Sequence, residues 1–113
     1  MEIRPFYPKA GGTIAIANGI AASVAASLDE SCDTVALYNS SSTAIAYWHC
    51  QSLPSHTSSG PTATVPVAGG ANGGIPIPPL NLIRLGIGSG PKKFSTIASA
   101  ADGTLYITPG VGN

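Results

Sequence analysis

The chain has 113 residues, enough for one domain with a core of its own. Charged side chains make up 9% of it against a usual ~25%, and five basic residues balance five acidic ones. That balance excludes the basic stripe of a nucleic-acid binder and the polybasic patch of an anionic-membrane binder, while 43% hydrophobic residues exclude a disordered chain. A surface short of charge repels its neighbours weakly, which suits a protein that works packed in an assembly; a small, nearly neutral monomer has the same composition. Fourteen glycines and ten prolines imply many tight turns between short strands.

Residues 1–12 read as an extended arm. Pro5 and Pro8 fix its path, Phe6 and Tyr7 give it two apolar side chains, and Gly11-Gly12 end it. Such an arm either lies on a neighbouring subunit or frays. The opening residues, MEIRPFYP, hold no apolar stretch of the kind a signal peptide needs. Thr13–Leu28, TIAIANGIAASVAASL, is too short and too polar for a membrane span. Its Ile14/Ile16 alternation followed by Asn18-Gly19 predicts two strands joined by a tight turn. An Ala-rich helix over residues 20–28 is the rival reading. Asp29-Glu30-Ser31 is then a polar turn.

Asp33–Gln51, DTVALYNSSSTAIAYWHCQ, holds the only Trp and two of the four Tyr. Two apolar runs flank the polar Asn39–Thr43, a pattern that predicts a β-hairpin with Val35 and Leu37 on one face. Cys32 and Cys50 lie at the same end of such a hairpin; a disulfide and a pair of buried thiols both fit.

Ser52–Gly60 is a polar loop, Pro61–Val67 a short strand broken by Pro66, and Ala68–Gly74 a glycine-rich loop. Ile75–Pro79, IPIPP, fits only a sheet edge, because proline lacks the ladder donor. Leu80–Ile87 is a strand with Ile83, Leu85 and Ile87 on one face and Leu82, Arg84 and Gly86 on the other. Lys92–Ala100 is a strand with both lysines at its solvent end, and Gly103–Thr108 a last strand with Leu105 and Ile107 inward. The count is about eight short strands in a single domain over residues 13–113, a jelly-roll-like β-sandwich.

The chain offers little chemistry. His49, His56 and Cys50 lack the spacing of a zinc site, and adjacent strand residues point to opposite faces. There is no G-x-S-x-G nucleophile motif, and the few carboxylates fall mostly on turns. The glycine clusters precede no helix that would bind a phosphate. The expectation is a non-enzymatic protein with no cofactor and no metal. Tyr47, Trp48 and His49 would form a carbohydrate site if Trp48 were exposed; a strand Trp is more commonly core or interface.

The order DTVALYNSSSTAIAYW, then a variable loop, then IPIPPLNLIRLGIG, then a closing FSTIASAADGTLYITPGVG, resembles small β-sandwich structural proteins of tailed bacteriophages, above all capsid decoration (cement) proteins. The resemblance spans Asp33 to the end and leaves the arm and Thr13–Leu28 unaccounted for. It implies a virion protein made in the host cytoplasm. Such a protein binds the outer capsid surface as a dimer or trimer and clamps neighbouring subunits of the major capsid protein. Contacts are expected from Pro5, Phe6, Tyr7 and Pro8, from Trp48, and from Ile75, Pro76 and Ile77 as an edge offered to a partner. A tail, connector or fibre-base component, or a carbohydrate-binding module, are the alternative functions.

Overall fold

A computed structural model of the chain describes residues 6–9, 11–23, 25–28, 31–53, 60–66, 74–88 and 90–112. Among them there are nine strands and no helix. They are β1 (Tyr7–Pro8), β2 (Ile14–Ala17), β3 (Ala26–Leu28), β4 (Thr34–Asn39), β5 (Ala46–Ser52), β6 (Ile75–Ile77), β7 (Leu82–Gly86), β8 (Lys92–Ala98) and β9 (Thr104–Val111). One sheet runs β1-β9-β4-β7, with β2 also on β9; the other runs β3-β8-β5-β6. All pairings are antiparallel.

The pairs β2·β9, β3·β8, β4·β7 and β5·β6 are nested, as in one long hairpin. Rolling it up adds β4·β9 and β5·β8. The result is a sandwich of two antiparallel sheets. Its two inner faces meet in a core of Leu28, Val35, Leu37, Ala46, Trp48, Ile77, Phe94, Leu105 and Ile107. Alternation explains the membership: Val35 and Leu37, Ala46 and Trp48, Leu105 and Ile107 are each two apart on a strand. Trp48 and Phe94 sit with ring centroids 5.8 Å apart at the centre.

Several expectations are corrected. β4 and β5 are not a hairpin; they lie in different sheets. Both runs are half-buried, and a period of two says which face goes inward but not which strand is the neighbour. The polar segment between them crosses the sandwich instead of closing a ladder. The buried Asn39 amide donates to Ala44 O at 2.8 Å and Ile77 O at 3.1 Å, while its Oδ1 accepts from Ser41 N and Asn18 Nδ2. Asn18-Gly19 is not a hairpin turn either: β2 and β3 also lie in different sheets, and the Asn18 amide is spent on Asn39 and on Asp102 O.

The helix over 20–28 does not form; its described residues are irregular up to β3, and Val24 lies outside them. The strand expected at Pro61–Val67 reduces to a single bridge at Thr64, whose carbonyl accepts from Gly74 N. Lys92 is buried rather than solvated; its ammonium is held by Cys32 O at 3.2 Å and Gly90 O at 2.7 Å. The edge position of β6 and the inward Leu105 and Ile107 are as expected. Asp29, Glu30, His56 and most of Ala68–Gly74 lie outside the described residues.

Candidate interaction face

The outer face of the first sheet carries an apolar row built by strand register. Leu82 of β7 stands opposite Tyr38 of β4, Tyr38 opposite Tyr106 of β9, and Tyr106 opposite Ala15 of β2. These positions alternate with the core residues on each strand, so burying Leu37 and Ile107 turns Tyr38 and Tyr106 outward. Leu82 is 66% exposed, Tyr106 39% and Tyr38 37%. The two tyrosine rings stack with centroids 6.4 Å apart, which fixes their faces and limits the rotamer freedom lost on docking.

Leu80, two residues before Leu82, is exposed and adopts φ 56°, a left-handed conformation that costs a branched side chain about 1–2 kcal/mol. Its amide bonds to Ser41 O at 3.0 Å, which helps hold that conformation. Exposed strain of this kind concentrates where a side chain must be presented. The next row of the face is polar: Arg84, Ala36 and Thr108 are in register, and the Thr108 hydroxyl bonds that of Thr13.

The arm closes the far end of this face. Tyr7 pairs with Val111 and Pro8 with Gly110, and Lys9 N donates to Pro109 O at 2.9 Å. Phe6 lies against Gly110, and the Arg84 guanidinium stands 5.9 Å from its ring centroid, within cation–π range. Gly110 is what admits it: a Cβ there would come within 2.5 Å of Tyr7 O and 2.7 Å of the Phe6 ring. The arm residues described thus pair with their own sheet, with Tyr7 and Pro8 exposed.

The expected contact residues are scattered. Tyr7 and Pro8 are exposed and Phe6 is half-buried at one end of the first sheet; Pro5 lies outside the described residues. Ile75 and Pro76 are exposed on the edge of the other sheet, and Ile77 is core. Trp48 is 1% exposed, which removes it as a partner contact and leaves no face for a sugar to stack on. The row Leu82–Tyr38–Tyr106 was not singled out from sequence; its signal was a large apolar residue on the polar side of an alternating strand.

Charge adds little. Asp102, on the β8–β9 turn, is held below the ordinary carboxylate value by hydrogen bonds from Ser41 and Thr43. Burial pushes the Cys50 thiol up to about 11, and both cysteines are free. Among the described residues no three His, Cys, Asp or Glu side chains cluster as metal ligands would. Comparison with known protein families, with curated proteins and with solved structures finds no match to this chain.

Proposed function

We propose that this is a non-enzymatic structural protein of a tailed-bacteriophage virion, and that it decorates the outer capsid surface and bridges subunits of the major capsid protein. The observation that carries the docking role is the exposed row Leu82–Tyr38–Tyr106, flanked by the exposed, positive-φ Leu80 in the turn before β7. Large apolar and aromatic side chains aligned on an open sheet face are the anchors that interfaces use. The low charge of the chain supports an assembled life, and the phage-like order of motifs supports the virion. Each copy would contribute a modest contact, and the array would gain through multivalency.

Under this reading the genome that encodes the chain also encodes a major capsid protein. Expanded shells assembled from that protein should bind this chain saturably, at a fixed ratio to capsid subunits. Leu82→Glu and Tyr106→Glu, both at exposed positions, should each weaken binding at least tenfold without unfolding the sandwich. Absence of shell binding, or binding indifferent to both substitutions, would contradict the proposal.

A further inference from the structure

The first sheet ends on an open edge. β7 pairs with β4 on one side, and among the described residues no strand pairs with it on the other. The ladder shows which backbone groups are left over. Asn39 N donates to Asn81 O at 3.1 Å and Ile87 N to Asp33 O at 2.8 Å, one bond at each end of the β4·β7 pairing. Bonded pairs in an antiparallel ladder recur at every second residue, so Ile83 and Leu85 bond to β4. Leu82, Arg84 and Gly86 therefore turn their N–H and C=O groups to the free edge.

An edge strand invites another strand unless shortness, proline or charge blunts it. The other edges described are blunted: β1 and β6 hold Pro8 and Pro76, and β2 and β3 have four and three residues. β7 is longer, at five residues, and has no proline. Its one charge, Arg84, leans back across the sheet to within 5.9 Å of the Phe6 ring centroid instead of guarding the edge. Ile83, Leu85 and Ile87 pack against the core yet stay half-buried, as apolar side chains do where no further strand covers them. β6 of the other sheet lies against β4, one strand further in.

We propose that β7 pairs antiparallel with β7 of a second copy of this chain, with Arg84 of each copy opposite Gly86 of the other. In that register the strand is self-complementary. Leu85 meets Leu85 of the second copy at the two-fold axis, and Ile83 meets Ile87, all on the core side of the sheet. A register centred on Arg84 would set like charges directly opposite, which destabilises a strand pair. Gly86 gives the facing arginine room: a Cβ there would meet nothing within 4 Å in the single chain, and glycine inside a strand marks close approach by another backbone. An isologous pair of this kind closes at two copies. It joins two first sheets into one, so the row Leu82–Tyr38–Tyr106 stands twice on one continuous face. The pairing does not rest on the capsid reading.

Sedimentation equilibrium over a range of concentrations should show monomer in equilibrium with dimer. Gly86→Pro removes one outward donor and should weaken the dimer at least about tenfold. It spares the single chain, because the Gly86 amide faces away from β4, its φ is not positive and the space beside it is open. Cross-linking reads the register. In Cys50→Ser protein, where the thiol on the same cleft wall cannot capture the new one, Leu85→Cys should oxidise to a disulfide-linked dimer and Ile83→Cys should not. Tyr106→Glu, on β9, should leave the dimer intact whatever it does to shell binding, so this inference and the capsid reading fail separately. A monomer at every concentration up to about 1 mM, a trimer, a dimer indifferent to Gly86→Pro, or cross-linking through Ile83→Cys in place of Leu85→Cys overturns the proposal. A monomer whose shell binding falls with Gly86→Pro also overturns it, and gives the edge to a strand of the capsid.

Discussion

The hydroxyl of Ser41 donates a 2.5 Å hydrogen bond to the carboxylate of Asp102, 61 residues along the chain. Thr43 Oγ1 adds a bond to the same oxygen at 3.1 Å. Together they tie the β4–β5 connection to the β8–β9 turn and hold the Asp102 carboxyl below its ordinary value. A carboxyl depressed in the folded state contributes stability at every pH above its unfolded value and loses it as pH falls through the folded value. The melting temperature should therefore hold from neutral pH to the ordinary carboxylate range as far as Asp102 is concerned, then fall in stronger acid. Asp102→Asn should lower it at neutral pH and flatten that acid slope. Parallel melts of the two proteins across that range check this; identical slopes would speak against it.

Asn39 uses all four of its side-chain bonding sites inside the protein, two donated to carbonyls and two accepted from N–H groups. Asn39→Asp keeps the shape but cannot donate to Ala44 O and Ile77 O, and it buries a charge beside them. The expected loss is about 3 kcal/mol or more by denaturant titration. A loss under about 1 kcal/mol would mean that the crossing between the sheets does not depend on this amide.

Gly110 leaves room for the arm, so Gly110→Ala should push Tyr7 O and the Phe6 ring off β9. Only the two-residue β1 ladder is lost, so global stability should fall by no more than about 1–2 kcal/mol. Tryptic cleavage after Lys9 should quicken several-fold, because that bond sits in the segment released. Unchanged cleavage would show that the arm does not need this glycine.

Cys50 should be a poor nucleophile in the folded state. A thiol raised by burial to about 11 carries roughly a hundred times less thiolate at mildly alkaline pH than an unperturbed one. Iodoacetamide should label it roughly a hundredfold more slowly in the native protein than in denaturant. Fast labelling of native protein would contradict the burial.

The class of the fold was legible because it depends on local signals. Short alternating runs, proline at Ile75–Ile77 and turn residues between strands point to a sandwich without any knowledge of pairing. The pairing was not legible. Asn39–Thr43 and Asn18-Gly19 both carry the side chains of tight turns, yet Asn18 and Asn39 bond to each other across the molecule. Local turn chemistry and long-range capping use the same amides, and only the strand order of the assembled sandwich decides between them. Lys92 misled for a similar reason, since two backbone carbonyls satisfy its ammonium inside. The exposed apolar row was half legible: Tyr38, Leu82 and Tyr106 stand out only once register places them side by side.

The proposed capsid role places the outer face of the first sheet against the assembly. Hydroxyl-radical footprinting of the shell-bound against the free protein tests it residue by residue. Tyr38, Tyr106, Leu80 and Leu82 should lose reactivity on binding, while Ile75, on the edge of the other sheet, keeps its own. Protection confined to Ile75 and Pro76, with the tyrosine row as reactive bound as free, would contradict the account.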